Sequence, residues 1–210
     1  MTCLSPNRHV GWLPFSRVQT ITNRTVAPQR ALHLDSQYTF RLAAHAADLA
    51  AAQSLRFQVF NLELNEGLAA SYATGLDEDA FDAVCDHLVV EHLPSATVAG
   101  TYRLQTGIQA LPRGYYSEQE FHFAPYESLR PQLVELGRAC IHRDHRNFAV
   151  LNLLWKGIAQ YAASHGASYL VGCSSMTTQD PAVGMAAFHR LREHLVAEPL
   201  RTLPQPVFGG

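Results

Sequence analysis

The sequence lacks the features that mark membrane-spanning and exported proteins. No apolar run reaches the roughly 18–20 residues that a membrane-spanning helix needs, and no continuous apolar core follows Arg8 and Arg17 to form an export signal. The four cysteines form no Cys-x-x-Cys pair, which argues against a metal site built on paired cysteines. In a reducing compartment we expect all four to be free thiols. We therefore expect a cytoplasmic protein with no bound metal.

Positive charge is sparse as well. Lys156 is the one lysine, and the net charge is −2 at pH 7 with histidine neutral. Nucleic-acid-binding domains usually carry a basic excess, so we expect no nucleic-acid partner. Arginine supplies the other positive charges, and its planar guanidinium suits phosphate and carboxylate groups. A GC-rich genome would produce the same bias, so composition alone does not assign these arginines a ligand.

Apolar patterning is present from residue 37 onward. The chain has 210 residues, 47% of them hydrophobic, which suits one domain over 37–210 preceded by a loosely ordered extension over 1–36. Consecutive strands early and strand–helix–strand alternation late predict an α/β (α+β) fold, with a mixed, mostly antiparallel sheet and helices on both faces. The predicted strands are 38–42, 88–91, 97–104, 133–141 and 169–173, and the predicted helices are 46–62, 149–164 and 182–196.

The segment richest in chemistry follows the strand 133–141. A short basic loop leads there directly into a helix, whose first amides have no internal partners and lie at the positive end of the helix dipole. Such a helix start binds anions. The alternative is a solvated basic turn. We predict a phosphate site formed by His142, Arg143, Arg146, Asn147, Ala149 and Val150.

Six collinear motifs carry a resemblance to a known family. They lie at residues 55–60, 81–88, 98–104, 114–121, 135–147 and 169–174. In this order they resemble the ornithine-lipid N-acyltransferases of the GNAT superfamily, over about residues 37–185. A weaker resemblance, through Arg56, Phe60, Asp79, Asp82 and the strands holding Arg103 and Glu135, is to acyl-homoserine-lactone synthases.

The first resemblance implies a GNAT-like fold and a reaction. A (3-hydroxy)fatty acyl group would pass from acyl carrier protein to the α-amine of an amino acid, with ornithine the leading acceptor and a lyso-ornithine-type lipid the product. No cofactor would stay bound, because the carrier protein brings the acyl group on its phosphopantetheine arm. The lipid product could bring the protein to a membrane surface.

Two departures from the family keep other functions open. Phe148 stands where the family's phosphate loop usually has glycine, which lets backbone approach a phosphate closely, and this phenylalanine could narrow the site or turn into the core. The chain also ends soon after Pro199, where family members commonly continue. The alternatives are an N-acyl amino acid or acyl-homoserine-lactone-like signal synthase, and a non-catalytic module that binds acyl groups or carrier protein.

Glu135, Arg103 and Arg138 form the predicted catalytic set. Glu135 is the candidate general base, acting directly or through water, because it precedes the basic loop on the same strand. Its alternative role is an ion pair with Arg103 or Arg138. Residues three apart on a regular strand point to opposite faces, so Arg138 is the less expected partner.

Other residues are assigned to the acceptor or to the acyl chain. Asp82 and Asp86 are predicted to attract the cationic amino acid, and Arg56 to bind its carboxylate or to lie on a helix surface. Asp77 and Glu78 are interpreted as a solvated helix start. Five aromatic residues in the long connection 105–131 could line an acyl chain or anchor the connection to the core: Tyr115, Tyr116, Phe121, Phe123 and Tyr126.

Overall fold

Five strands form one sheet in chain order. The computed structural model describes residues 37–176, 178 and 180–208, so the predicted extension over 1–36 lies outside the described residues. The first four strands pair antiparallel and the last pairs parallel, which confirms the predicted mixed, mostly antiparallel sheet. The strands are β1 Tyr38–Leu42, β2 Asp86–His92, β3 Thr97–Thr106, β4 Leu133–Ile141 and β5 Tyr169–Val171.

The α-helices are α1 Ala46–Arg56, α2 Ser71–Thr74, α3 Phe148–Ser164 and α4 Pro181–Leu191. The predicted helix 46–62 is right in extent, but its second half, Phe57–Glu63, is wound as a π-helix. The predicted helix 182–196 ends early, because the chain tightens into a 3₁₀ turn at Arg192–His194. Two 3₁₀ helices, Tyr116–Gln119 and Ala124–Gln132, give the long connection most of its order.

α1 and α3 pack on opposite faces of the sheet. Neighbouring strand residues point to opposite faces, so Ala99 packs with Leu154 and Ile158 of α3, whereas Val98 packs against Leu55 of α1. The prediction of helices on both faces is therefore confirmed. α3 lies so close to β2 that a Cβ at Gly157 would come within 2.7 Å of Leu88 Cδ1.

β4 contains a bulge at its centre. Thr101 pairs with Cys140 but Arg103 pairs with Gly137, so β4 carries one extra residue over this stretch. Arg138 has φ 48°, a left-handed conformation that is strained for a residue other than glycine. The bulge breaks the alternation of side chains and brings Arg138 to the α1 face, the face that Glu135 and Arg103 also occupy. The expectation that Arg138 and Glu135 lie on opposite faces, which assumed a regular strand, is therefore wrong.

β4 and β5 stay together only at one end. Their pairing runs from Leu133–Tyr169 to Glu135–Val171, while β4 continues to Ile141. At Gly172 an added Cβ would meet the Leu136 carbonyl oxygen at 2.4 Å, so the strands are still in close contact one residue further. Beyond this point the β5 side of β4 pairs with no strand among the described residues.

Candidate active site

A buried ion cluster lies between α1 and the sheet, with Arg56 at its centre. Arg56 is 1% exposed. Its Nε donates to Asp77 Oδ1 at 3.0 Å and its NH2 to Asp82 Oδ2 at 2.6 Å, and NH2 also donates to the Asp77 carbonyl. Burial alone would raise the pKa of the Asp82 carboxyl, but the bonds from Arg56 hold that pKa below its usual range. Asp82 is therefore ionised, and removing Arg56 would leave buried charge uncompensated.

Two strand arginines complete the cluster. Arg103 NH1 lies 2.5 Å from Asp79 Oδ1 and 3.0 Å from Asp82 Oδ1. Arg138 is held more loosely, with Nε 3.5 Å from Asp77 Oδ1 and NH2 3.7 Å from Asp79 Oδ2. Three arginines thus face three aspartates. Burial lowers the pKa of Arg103, but Asp79 and Asp82 outweigh it and leave the pKa raised.

Two expectations about these charges are wrong. Arg56 is not on the helix surface, because it shares the buried stripe of α1 with Ala52 and Leu55. Asp77 is not solvated but fully buried, since it supplies the carboxylate that Arg56 needs on that stripe. The sequence carried a signal for this arrangement: an arginine beside an apolar helical stripe, followed by three aspartates.

Asp86 lies apart from Arg56 and Asp82. It alternates with the core residue Leu88 along β2, so its side chain is on the α3 face. There Asp86 Oδ2 accepts from Tyr161 Oη at 2.6 Å and from Gln109 Nε2 at 2.8 Å. The three residues predicted for the acceptor therefore do not form one site.

Glu135 is buried and held by the long connection. It is 5% exposed. The Tyr116 backbone N–H donates to its Oε2 at 2.8 Å, and Ser117 donates to its Oε1 from the backbone N–H at 2.7 Å and from Oγ at 2.5 Å. Burial raises the pKa of Glu135, and the Ser117 and Tyr116 donors oppose that rise. A carboxyl with a raised pKa is suited to general-base work near neutral pH.

The alternative role of Glu135, an ion pair with Arg103 or Arg138, is not what the described residues show. Arg103 and Arg138 bind aspartates instead, and the two residues that hold Glu135 come from a 3₁₀ turn 18 and 19 residues earlier. Pattern reasoning missed Tyr116 and Ser117 as partners, because long-range loop contacts leave no periodic signal. Their place in the motif at 114–121 was the one available hint.

Cysteine nucleophiles are not favoured. Burial raises the pKa of Cys85, Cys140 and Cys173 to about 12 each, so these thiols stay protonated at neutral pH. Cys173 follows β5 and its Sγ lies 3.5 Å from Ser117 Oγ. Among the described residues, no three histidine, cysteine, aspartate or glutamate side chains converge in a way that could hold a metal ion.

Several polar groups of the basic loop after β4 already have partners within the protein. The Asn147 side chain caps α3 by accepting from the Val150 N–H at 3.0 Å, so this amide is occupied. Arg146 NH2 lies 2.6 Å from Glu63 Oε2, and its Nε donates to a strand carbonyl. Arg143 is 74% exposed, and its Nε is 3.8 Å from Asp144. Of the predicted phosphate ligands, Arg143 is therefore the most available.

An open cleft of about 310 Å³ adjoins this loop. It lies between the π-helical segment Phe57–Glu63 and the loop, where Arg143 offers an exposed guanidinium. Phe148 is 81% exposed beside the loop, so the expectation that it could turn into the core is wrong. The lining residues are Gln58, Val59, Leu62, Glu63, His142 and Arg143.

The aromatics of the long connection anchor it. Tyr115, Phe123 and Tyr126 are buried with Leu133 and Val171 in a cluster of their own, and Phe121 is buried as well. For these four residues the anchoring interpretation is favoured over an exposed acyl lining. Because the connection is anchored in this way, its Tyr116–Gln119 turn lies against Glu135.

Comparison with known proteins relates the central part of the chain to one domain family. A model of the acetyltransferase (GNAT) domain matches residues 55–156, which include Glu135 and the basic loop. The GNAT-like fold expected from the motifs is therefore confirmed. No helix in the described part of the chain is long and apolar enough to cross a bilayer.

Curated relatives of the chain confirm the resemblance found in the motifs. It is 35% identical over 167 residues to an L-ornithine N(alpha)-acyltransferase of Agrobacterium fabrum, covering 75% of this chain and 57% of the relative. It is 34% identical over 174 residues to one of Rhodobacter capsulatus, covering 78% and 66%. The chain thus spans between about half and two thirds of these relatives' length. The acyl-homoserine-lactone synthase LasI is 16% identical, with a TM-score of 0.49, over 73% of this chain and 76% of that one.

Proposed function

We propose that this chain transfers a (3-hydroxy)fatty acyl group from acyl carrier protein to the α-amine of ornithine, giving a lyso-ornithine-type lipid. The observation that carries the proposal is the layout of β4. This strand joins a buried carboxyl of raised pKa, Glu135, to the basic loop and cleft at 142–147. The chain with this layout is similar to four L-ornithine N(alpha)-acyltransferases.

The basic loop is the proposed site for the donor's phosphate. Arg143 is exposed and loosely partnered, so it can bind a phosphate without breaking a strong contact. Arg146 can join only by leaving Glu63. The carrier protein would dock beside this loop, where Lys156 supplies a further exposed cation for an acidic protein surface.

The donor's arm would lie along the open side of β4. From His142 back to Glu135 is seven residues, or roughly 20 Å at the rise of an extended strand. A phosphopantetheine arm is a chain of similar length with amide groups along it. Since pairing with β5 stops at Glu135, the free β4 edge could hydrogen-bond those amides. The thioester would then lie near Glu135.

Glu135 is the proposed general base. The α-ammonium of the acceptor gives a proton to the Glu135 carboxylate, directly or through a water molecule, and the amine attacks the thioester carbonyl. The tetrahedral intermediate loses a second proton from nitrogen as it collapses to the amide and the C–S bond breaks, and the leaving carrier thiolate takes up that proton. Glu135 then releases its own proton to solvent and is again a carboxylate. No redox step or bound cofactor is involved.

Arg138 and Asp79 are the proposed contacts of the acceptor. Their side chains are 17% and 18% exposed, more than those of Arg56, Arg103, Asp77 or Asp82. Arg138 is also loosely held, and its Nε is buried without a hydrogen-bond partner. It could therefore bind the acceptor's carboxylate while Asp79 attracts the amine. Arg56 and Asp82 then hold the cluster in place.

One experiment separates this function from its alternatives. The protein is incubated with 3-hydroxyacyl carrier protein and a panel of amino acids, and products are identified by mass spectrometry. We expect N-acylornithine. Acylation of another amine would indicate an N-acyl amino acid or signal synthase, and carrier binding without any product would indicate a non-catalytic module. We propose that the reaction takes place in the cytoplasm, with membrane contact only through the lipid product.

A further inference from the structure

Ser117 is the side chain most closely bound to Glu135. Both are almost fully buried, at 1% and 5% exposed. The Ser117 Oγ lies 2.5 Å from Glu135 Oε1, which also accepts from the Ser117 backbone N–H at 2.7 Å. Ser117 therefore makes two of the three hydrogen bonds that this carboxylate accepts from the described residues. All of them are donated, so they favour its ionised form.

The position of Ser117 gives these bonds their direction. Tyr116 and Ser117 begin the 3₁₀ helix Tyr116–Gln119, so their backbone amides have no helical partners and point outward at the carboxylate. The Ser117 hydroxyl adds a third donor from a rotatable side chain. On its other side Oγ lies 3.5 Å from the Cys173 Sγ, at the point where β4 and β5 part.

We propose that Ser117 is a positioning residue for Glu135: its hydroxyl fixes the orientation of the carboxylate and keeps it ionised as the working base. The inference rests on the proposed role of Glu135. Ser117 itself touches no reacting atom in this scheme. It acts through Glu135, so removing its hydroxyl should change the pH range over which Glu135 is ionised, in addition to any effect on stability.

Other groups around Glu135 do not substitute for Ser117. From β3, the Arg103 guanidinium favours the carboxylate by charge, but it is bound to Asp79 and Asp82. From the long connection and β5 come Tyr115 and Cys173, whose own pKa values are raised by burial, and Cys85 before β2 behaves likewise. These three are neutral at neutral pH. Burial raises the pKa of Glu135, and donated hydrogen bonds are what limit that rise.

The test is the pH profile of turnover in Ser117→Ala beside wild type. The acidic limb of kcat reports the ionisation of the base in the substrate complex. Losing a hydrogen bond to a charged group should move this limb to higher pH by about one to two units. Ser117→Thr, which keeps the hydroxyl, should restore the wild-type limb. An unmoved limb in Ser117→Ala would overturn the proposal.

A matched control removes a different buried hydroxyl. Thr101 Oγ1 donates to the Leu88 carbonyl at 2.9 Å and is equally buried. Thr101→Val should lower stability as Ser117→Ala does but leave the acidic limb in place. If Ser117→Ala does not fold, Ser117→Cys keeps the volume with a weaker donor. An intermediate shift of the limb in that variant supports the proposal, and no shift overturns it.

A second readout needs no turnover. Because burial raises the pKa of Glu135 above its unfolded value, folding takes up a proton, and the unfolding free energy falls as pH rises from the unfolded to the folded pKa. Comparing wild type with Glu135→Gln isolates this fall. In Ser117→Ala the fall should extend to higher pH. If wild type shows no acyl transfer but this shift is seen, the proposed function fails. The effect of Ser117 on the ionisation of Glu135 is then still supported. The same fall in both backgrounds would overturn the inference.

Discussion

The two ends of β4 handle charge in opposite ways. At the first end, Glu135 and the ion cluster are buried, and donors or counter-charges surround each group. At the other end, the basic loop is exposed, and Arg143 lies 3.8 Å from Asp144 in a loose contact. A buried charge is strongly destabilising unless a partner compensates it, whereas an exposed charge is solvated by water and stays available to a ligand. Most of the first end is therefore fixed in geometry, with Arg138 and Asp79 as its more exposed members, whereas the second end lies open to a ligand.

The largest expected effect comes from Glu135→Gln. We expect turnover to fall about 10²–10⁴-fold, the usual contribution of a general base, with little change in carrier affinity. Glu127→Gln, the same substitution at an exposed glutamate paired with Arg130, should leave turnover unchanged. The amide nitrogen that replaces a carboxylate oxygen of Glu135 would face backbone N–H groups, so unfolding in urea must show that the variant is folded. Full turnover in a folded variant would make Glu135 a purely structural anchor of the long connection.

The two ends should also differ in what an arginine contributes to stability. Arg56→Met should lower the free energy of unfolding by about 3–5 kcal/mol, because it leaves buried carboxylates uncompensated. Arg143→Met, the same substitution in the exposed loop, should change it by less than about 0.5 kcal/mol. Urea denaturation of both variants gives the comparison. Similar small losses in both would contradict the account of a closed ion cluster.

Substitutions in the basic loop should affect the binding of carrier protein rather than stability. Changing Arg143 and Arg146 together to alanine should raise the KM for acyl carrier protein about tenfold or more and flatten its salt dependence, since charge-assisted contacts are lost. The KM for ornithine should stay nearly constant. Removing two exposed arginines elsewhere, Arg190 and Arg192, is the control and should do neither. Loss of ornithine affinity with carrier affinity kept would mean that the two sites are reversed.

The smallest effect concerns the ion pair between Arg146 and Glu63. Glu63→Gln removes this 2.6 Å ion pair and takes one negative charge out of the cleft. Exposed pairs contribute about 0.2–1 kcal/mol, so the KM for carrier protein should fall by a factor of about two to five. Steady-state kinetics at low salt would show it. A raised KM would mean that Glu63 holds Arg146 in its binding position rather than away from it.

The fold was predictable where a residue's neighbours are set by local period. β4 was predicted over 133–141, which is its observed extent, because its apolar residues end at a polar loop. The helix after that loop was predicted within one residue of its start, whereas the capping of that helix by Asn147 was not predicted. The mixed sheet followed from element order alone.

The interior of the site was not predictable in the same way. Arg138 left the expected face because a single extra residue bulges β4, and no periodic signal marks a bulge. Arg56 is predicted to bind the acceptor's carboxylate or to lie on a helix surface and Asp77 to be solvated, yet the two compensate each other in the interior. The partners of Glu135 come from a turn whose position depends on how the aromatics of the long connection pack. Tertiary contacts decide each of these cases.

The central claim is that one reaction uses both ends of β4 to acylate the α-amine of ornithine. The most direct test supplies 3-hydroxyacyl carrier protein and ornithine to wild type and Glu135→Gln and follows the product by tandem mass spectrometry. The account predicts ornithine acylated on its α-nitrogen, formed at least about 100-fold more slowly by the variant. A folded wild-type protein that makes no α-N-acylornithine, or a variant that makes it at the wild-type rate, would contradict the account.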